Sequence, residues 1–215
     1  KYDRFNDLIT FGMHRYWKRF VARQTGLREG ERCLDLCCGT GDIARSVIKQ
    51  HPYAEVTGVD FAASMLGVAA VRTKVYSVQW IQGDALRLPF PDGWFAAVTV
   101  GYGLRNLDDL TKGLLEIRRI LQPGGVMVSL DVGKVRLPVI DVLSRFYFFK
   151  LVPKIGEWLM PEQEMFIYLP QSSLKYPDQE TLKRKLLEVG FHQAHYYDFV
   201  FGASTVHVAY KTSAP

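Results

Sequence analysis

Three aspartates, each lying in or just after a short apolar run, are the residues whose spacing first suggests chemistry. Asp35 lies inside the first run, Asp60 closes the second, and Asp84 follows the third after a single glycine. If these runs are neighbouring parallel strands, their carboxyl ends meet at one edge of a sheet, where open α/β sheets bind ligands. We therefore expect the three carboxylates to surround a common ligand.

A glycine pair follows the first of these aspartates, in the segment Gly39-Thr40-Gly41-Asp42. Glycines at this point let the backbone approach a ligand closely and turn into a helix. The spacing also fits a dinucleotide fingerprint, with Asp60 about 20 residues on to hold a ribose. A pyrophosphate favours uncompensated N–H groups, however, whereas Asp35 and Asp42 flank this loop with negative charge. That charge favours S-adenosylmethionine, which carries an ammonium and a sulfonium, over NAD.

Strand-like and helix-like segments alternate along the first two thirds of the chain. Strands are predicted at residues 33–37, 55–60, 77–82, 94–101 and 126–131, and helices at 13–25, 62–74 and 107–121, the last stopped by Pro123-Gly124-Gly125. A further helix is expected directly after the glycine loop. This alternation predicts a mostly parallel sheet with helices on its faces.

The last third has a different pattern. Residues 137–170 are rich in aromatic and aliphatic side chains but interrupted by charges, which predicts amphipathic helices, and we interpret 136–175 as a helical insertion or lid. A helix is predicted at 178–189, and two strands at 194–201 and 205–211 form an antiparallel hairpin around residues 202–204. We predict one domain over 1–215, with a helical lead-in at 1–28.

Composition excludes several classes of protein. Lysine and arginine number 27 against 22 aspartate and glutamate, and the excess is spread along the chain, so no nucleic-acid partner is expected. The three cysteines lie within six residues, at Cys33, Cys37 and Cys38, and form no disulfide framework. No run approaches the ~18 apolar residues of a membrane span. We expect a cytoplasmic protein, or an organellar one if a transit peptide preceded Lys1.

Several segments together resemble the class I S-adenosylmethionine-dependent methyltransferases, and among them the ubiquinone/menaquinone biosynthesis C-methyltransferases. They are Tyr2-Asp3-x-x-Asn6, Gly12-x-His14-Arg15-x-Trp17-Lys18, Leu34-Asp35 through Asp42, Gly58-Val59-Asp60-Phe61, Met65-Leu66, Gly83-Asp84-Ala85, Leu88-Pro89-Phe90, Gly101-Tyr102-Gly103-Leu104-Arg105-Asn106, Leu121-x-Pro123-Gly124-Gly125 and Tyr168-Leu169-Pro170. The resemblance implies a Rossmann-like α/β fold with a seven-stranded, mostly parallel sheet, a C-terminal antiparallel hairpin and a helical lid.

The resemblance also implies a cofactor site for S-adenosylmethionine and no metal. The residues expected to bind the cofactor are Asp35, Gly39, Thr40, Gly41, Asp60, Phe61, Met65, Asp84, Ala85 and Gly101.

Methyl transfer to carbon sets requirements on the acceptor. A ring carbon is a poor nucleophile unless a neighbouring hydroxyl is ionised, so the acceptor should be a reduced hydroquinone. Arg105 is expected to stabilise the phenolate and Asn106 to orient it, although both also fit a turn with a surface salt bridge. Tyr102 is either a pocket wall or a core residue. His14 and Asp131 are candidate bases, with a structural role or a helix cap as the alternatives.

The expected acceptor, a prenylated quinol, needs an apolar tunnel and access to a bilayer. The basic, aromatic-bearing stretch at 136–170 therefore predicts peripheral membrane contact, although such a stretch also fits a core. A homodimer is left open.

The alternatives are a methyltransferase for another phenolic or lipid acceptor, a non-catalytic quinone-binding module and an NAD-dependent oxidoreductase. A nucleic-acid methyltransferase is a further alternative, but residues 101–106 do not supply the expected Asn/Asp-Pro-Pro-Tyr-like loop.

Overall fold

The computed structural model describes residues 7–152, 154 and 176–213 of the chain. Within them one sheet is built from β1 (Arg32–Leu36), β2 (Glu55–Asp60), β3 (Val78–Gln82), β4 (Phe95–Gly101), β5 (Leu121–Val132), β6 (Gln193–Phe199) and β7 (Ser204–Tyr210). The strand order is β3-β2-β1-β4-β5-β7-β6. Strands β1 to β5 pair in parallel, whereas β7 runs antiparallel between β5 and β6. The predicted seven-stranded sheet with an antiparallel ending is confirmed.

Helices lie between the strands, as the alternating pattern predicts. They are α1 (Met13–Gln24), α2 (Asp42–Gln50), α3 (Ala63–Arg72), α4 (Leu110–Ile120), α5 (Pro138–Phe146) and α6 (Gln179–Glu188). Helical turns also occur at residues 7–10, Leu104–Asn106, Tyr147–Leu151 and Val200–Gly202. Of the predicted insertion at 136–175, α5 and the turn after it are described. Residues 155–175, with the Tyr168-Leu169-Pro170 segment, and the motif residues Tyr2, Asp3 and Asn6 lie outside the described residues.

Two element boundaries differ from the sequence-based expectation by three residues or more, and the others agree to within two residues. Helix α4 begins at Leu110 rather than at residue 107, because the Asp109 carboxylate accepts the backbone N–H of Lys112 at 2.9 Å and caps the helix. Strand β5 begins at Leu121 rather than at residue 126. Gly124 has a φ of 76°, so the chain bends there without leaving the sheet, and the pairing with β4 shifts register at this point.

The two faces of the sheet carry separate apolar clusters. Side chains of α4 and α6 cover one face, and side chains of α1 and α2 cover the other. Because strand residues alternate between faces, Val128 and Leu130 of β5 belong to the α1/α2 side. Ser129 and Asp131 therefore point to the α4/α6 side, where both are buried.

A buried carboxylate links two central strands of the sheet to helix α2. Asp35 of β1 accepts the hydroxyl of Thr99 in β4 at 2.8 Å and the backbone N–H of Ala44 in α2 at 2.9 Å. Burial raises the pKa of Asp35 to about 7, although these two hydrogen bonds oppose the rise. Ionisation of Asp35 in this buried position therefore lowers the free energy of unfolding, although the hydrogen bonds of Asp35 join β1, β4 and α2.

The indole of Trp80 in β3 packs directly against the backbone at two glycines, Gly58 and Gly41. A Cβ on Gly58 would overlap this ring, and a Cβ on Gly41 would lie 2.7 Å from it. The glycine in the second strand therefore reflects packing against an aromatic side chain, which also touches the glycine loop.

Among the described residues, no helix is both long enough and apolar enough to cross a membrane.

The packing of Trp80 predicts opposite effects for two glycine substitutions in one β2–α3 unit. Gly58→Ala should destabilise the chain by about 1–3 kcal/mol, because the new methyl group displaces the indole. Gly67→Ala, in exposed helix α3 with no atom near its Cβ, should stabilise it by about 0.5–1 kcal/mol. Urea unfolding measures both changes, and equal effects of the two substitutions would contradict the packing role of Gly58.

The raised pKa of Asp35 predicts a pH dependence of stability. Between about pH 4 and pH 7 the folded chain keeps a proton that the unfolded chain has released, so the free energy of unfolding falls as pH rises through this window. Asp35→Asn removes this titration. On moving from pH 5 to pH 7.5 without ligand, the variant should gain about 1–3 kcal/mol relative to the wild type. A difference between the two proteins that is constant with pH would show that Asp35 titrates normally.

Candidate active site

The loop after β1 bends sharply beneath the edge of the sheet. Cys37, Gly39 and Gly41 all have positive φ, at 53°, 52° and 77°. Cys37 is not a glycine, so its backbone conformation is strained, which is a feature of functional sites. A Cβ on Gly39 would meet no atom within 4 Å, so the space beside this glycine is open for a ligand.

Asp60, at the end of β2, holds this loop against the second strand. One of its oxygens accepts the N–H of Gly39 at 2.7 Å, and the other accepts the N–H of Ala62 at 2.9 Å. Each carboxylate oxygen keeps a further lone pair for a ligand hydroxyl. The Phe61 ring beside it is 78% exposed, and Met65 on the next helical turn is also exposed. The structure thus places an acid and two uncovered apolar side chains together.

Asp84, after β3, is exposed and caps its own turn by accepting the N–H of Leu86 at 2.8 Å, while Ala85 is buried. The Cys37 thiol in the first loop is influenced by each of these acids. Its pKa rises to about 12, first through burial and then through the charges of Asp60, Asp35, Asp131 and Asp84. The structure therefore gathers the three predicted carboxylates, with Asp131 as a fourth, around the first loop.

Asp42 differs from the sequence-based interpretation. Its carboxylate contacts Lys18 at 2.7 Å, Arg72 at 2.9 Å and Arg45 at 3.5 Å. Burial alone would raise the pKa of Asp42, but Lys18 and Arg72 lower it. Asp42 is therefore ionised, as expected, but three cations neutralise its charge, so it adds little negative potential to the loop. Arg72 also donates to the Thr40 hydroxyl at 2.7 Å, which ties that predicted cofactor residue to the same network.

The residues around the loop fit S-adenosylmethionine. Gly39 leaves open space beside a backbone turn, and Asp60 offers carboxylate lone pairs of the kind that accept ribose hydroxyls. Asp84 is exposed, and its second oxygen accepts no hydrogen bond from the described residues, so it could accept an amine. Phe61 supplies an uncovered ring for a flat base. Asp35 lies under the loop as a structural link rather than as a direct ligand, since it is 1% exposed and bonded to Thr99 and Ala44 within the chain.

Arg105 and Asp131 form a buried ion pair at the carboxyl ends of β4 and β5. Arg105 Nη1 lies 2.6 Å from Asp131 Oδ1, and the two side chains are only 6% and 4% exposed. The turn that carries Arg105 packs directly on the first loop, because a Cβ on Gly103 would overlap the side chain of Cys37. The surface salt bridge considered as an alternative for Arg105 is therefore wrong, since the pair is enclosed.

The residues around Arg105 hold it in place. Tyr102 has a φ of 56°, and the Arg105 guanidinium carbon lies 5.3 Å from the centre of its ring. Asn106 is exposed and donates to the Tyr102 carbonyl at 3.3 Å. Gly101 allows close packing, because a Cβ there would overlap the side chain of Ile43.

His14 is buried in α1, and its described side-chain partner is Asp7 rather than Arg105 or Asp131. Its Nε2 lies 2.9 Å from Asp7, which also pairs with Arg15. Arg15 first and then His14 lower the pKa of Asp7 to about 2. The described contacts of the His14 side chain thus connect it to the N-terminal segment. Its Nδ1 has no hydrogen-bond partner among the described residues.

Sequence reasoning missed two polar residues beside Asp131. Among the described residues, Ser129 Oγ and Tyr176 OH are buried without a well-formed hydrogen bond, as are Asp131 Oδ2 and Arg105 Nε. Ser129 could have been found, because it lies two residues before Asp131 and shares its face of the strand. Tyr176 offered no such signal, since it lies some forty residues further along the chain and reaches the site only through folding.

Comparisons with known proteins agree over nearly the whole length. The model of the ubiE/COQ5 methyltransferase family matches residues 1–211. A demethylmenaquinone methyltransferase of Leptospira interrogans serogroup Icterohaemorrhagiae serovar copenhageni is 46% identical over 221 residues, covering 99% of this chain and 89% of that protein. The demethylmenaquinone methyltransferase of Staphylococcus aureus strain JH9 is 39% identical over 213 residues, covering 98% of this chain and 88% of that protein.

Solved structures support the same fold at lower sequence identity. The cyclase SpnF superposes with a TM-score of 0.71 at 20% identity, covering 93% of this chain and 81% of that one. A SAM-dependent methyltransferase from Aquifex aeolicus gives a TM-score of 0.64 at 16% identity, covering 90% of this chain and 88% of that one. Because these identities are low, the likeness shows the fold alone.

The family match decides between the alternatives that the sequence left open. The expectations of an S-adenosylmethionine-dependent methyltransferase and of a member of the quinone-biosynthesis branch are confirmed, and the oxidoreductase alternative is excluded. The homodimer and the organelle stay predictions. From the match over residues 1–211, the chain belongs to the ubiE/COQ5 methyltransferase family.

Proposed function

We propose that this chain methylates a ring carbon of a reduced, prenylated naphthoquinol of the demethylmenaquinol type. The relatives named demethylmenaquinone methyltransferases support this choice of acceptor. The observation that carries the proposal is the buried Arg105–Asp131 pair, in which one nitrogen and one oxygen have no partner among the described residues. Polar atoms buried in this state cost free energy unless a ligand satisfies them.

The residues around the first loop would hold the methyl donor at the edge of the sheet. Asp60 would accept from its ribose hydroxyls, Gly39 would leave room beside the backbone, and Phe61 and Met65 would lie beside its base. Asp84 would accept from the exocyclic amine. When bound, S-adenosylmethionine supplies an electrophilic methyl group on a sulfonium. The main task of the protein is then to align this methyl with the acceptor carbon, which can supply about 7–11 kcal/mol of the barrier.

Arg105 and Asp131 activate the acceptor. Asp131 Oδ2 accepts the proton of a ring hydroxyl, and the Arg105 guanidinium stabilises the phenolate oxygen that remains. Burial raises the pKa of Asp131, although Arg105 opposes the rise, so this carboxylate is a stronger base than an exposed one. The phenolate would direct electron density to the ring carbon, where the new C–C bond forms as the methyl–sulfur bond of the donor breaks and S-adenosylhomocysteine leaves. The proton on that ring carbon then passes to water, and the aromatic ring is restored.

Arg105 can be tested with a substitution that preserves the buried charge. Arg105→Lys keeps a cation beside Asp131 but loses Nε–H and the planar guanidinium, so kcat should fall at least tenfold, and about 100-fold or more in Arg105→Ala. The assay follows labelled methyl transfer to a panel of naphthoquinols and benzoquinols kept reduced by dithionite. The affinity for S-adenosylhomocysteine should stay within about twofold, because Arg105 serves the acceptor.

Arg184→Ala provides the control, since this exposed arginine lies on α6 and contacts Thr181. Its activity should equal that of the wild type. Activity of Arg105→Ala within about tenfold of the wild type would remove the phenolate role of Arg105. Transfer to other phenols but to no naphthoquinol would contradict the proposed acceptor.

We further propose that the face carrying α5 contacts the bilayer surface. Its exposed apolar residues are Leu137, Val139, Val142, Leu143 and Phe146. The Tyr147 hydroxyl donates to the Ile9 carbonyl at 2.8 Å and so brings the exposed Leu8 and Phe11 towards this face. Exposed Lys150 and Lys154 follow α5 in the chain. An apolar helix face with cations beside it fits an anionic lipid interface, from which a prenylated acceptor would be drawn.

Vesicle sedimentation tests this contact. The wild type should sediment with vesicles of phosphatidylglycerol and phosphatidylcholine, and the double variant Val142→Asp with Phe146→Asp should stay in solution, because two buried charges oppose insertion of the helix face. Val71→Asp with Val75→Asp removes equally exposed apolar side chains near α3 and should sediment as the wild type does. Wild-type protein that stays in solution, or equal binding of all three proteins, would contradict the proposal.

A further inference from the structure

Two hydroxyl groups beside the Arg105–Asp131 pair have no role in the function proposed so far. Ser129 is 1% exposed and Tyr176 is 6% exposed, and neither hydroxyl forms a well-formed hydrogen bond within the described chain. Ser129 precedes Asp131 on the same face of β5, and Tyr176 comes just before the N-cap of α6, on the side of the sheet that α6 covers. The Tyr176 phenol lies within reach of the Ser129 hydroxyl and of the Asp131 and Arg105 charges, so these four polar groups share one region of the described chain.

The chemistry of these four atoms is complementary. Arg105 Nε carries a donor, Asp131 Oδ2 is an acceptor, and the two hydroxyls can donate or accept. The charge of Asp131 acts on Tyr176, whose pKa is raised by burial and then by that carboxylate. The phenol of Tyr176 therefore stays protonated and serves as a donor at neutral pH. One proton acceptor beside three donors suits a ligand hydroxyl that gives up its proton and then, as an oxyanion, accepts hydrogen bonds.

We infer that Ser129 and Tyr176 are acceptor-binding residues, whose hydroxyls donate to the same ring oxygen that Asp131 deprotonates. This inference rests on the proposed function. The proton passes from the acceptor hydroxyl to Asp131 Oδ2, and the oxygen left with a negative charge receives hydrogen bonds from Arg105 Nε–H, Tyr176 O–H and Ser129 O–H. Three donors fixed in a buried site stabilise an oxyanion without the reorganisation that water requires.

A ligand-binding role for these hydroxyls and a structural role predict different effects on stability. Removing a hydroxyl that is buried and unsatisfied should leave stability unchanged or raised, because its desolvation cost disappears. A hydroxyl that supports the fold, or that holds a structural water, should lower stability when it is removed. Tyr176→Phe and Ser129→Ala are therefore expected to keep or raise Tm while they weaken binding of the acceptor.

The experiment uses the full chain without cofactor and 4-nitro-1-naphthol as the probe, because its ionised form absorbs visible light. The wild type should bind this probe as the naphtholate, seen as a visible difference band at fixed pH. Tyr176→Phe and Ser129→Ala should each bind it about tenfold more weakly, and their KM for a reduced prenylated naphthoquinol should rise similarly. The double variant should lose less than the product of the two single losses, because both hydroxyls serve one oxygen.

Ser204→Ala is the matched control. Its hydroxyl is equally buried and unpartnered, but Ser204 lies on the α1/α2 side of β7, with Val206 and Val208. This variant should bind the probe as the wild type does.

Probe binding by Tyr176→Phe and Ser129→Ala within twofold of the wild type, or a Tm several degrees lower in both, would overturn the inference while leaving the proposed function intact. A wild type that transfers no methyl to any naphthoquinol yet shows these probe affinities would instead overturn the proposed function and keep the oxyanion site.

Discussion

The buried ion pair between Arg105 and Asp131 is the interaction on which the proposed acceptor side of the molecule depends. Two charges enclosed at 6% and 4% exposure are retained only where their geometry compensates the loss of water. Parallel pairing of β4 and β5 brings the two residues to one edge, and the tight contact of Gly103 with Cys37 fixes the turn that carries the arginine. The pair therefore connects the acceptor side to the loop after β1.

The carboxylates at this edge have different environments and different uses. Asp35 lies under the loop, where it links β1, β4 and α2, and burial raises its pKa. Asp42 is neutralised by three cations and joins α1 to α2 and α3. Asp60 remains beside the open space at Gly39, where a ligand can reach it. Acids that look equivalent in the sequence thus divide into structural groups and groups available for binding.

Stability and binding oppose each other around Asp131. Buried polar atoms without partners reduce the free energy of unfolding, and four of them occur together at Arg105, Ser129, Asp131 and Tyr176. Tyr102 adds a strained backbone at the same edge. Costs of this kind persist where the surrounding sheet is well packed, as it is here on both faces. The apolar core supplies the stability that permits a polar site at its margin.

The order of strands and helices, the glycine loop and the positions of Asp60, Arg105 and Asp131 at or near strand ends could be predicted from the sequence, because apolar periodicity and local spacing are properties of short segments. The exact start of α4 and β5 could not, since a cap at Asp109 and a bend at Gly124 act through a few local bonds. The neutralisation of Asp42 and the arrival of Tyr176 beside Asp131 depended on the tertiary structure alone. Both join residues distant in the chain, and only the packing of helices on the sheet determines which of them meet.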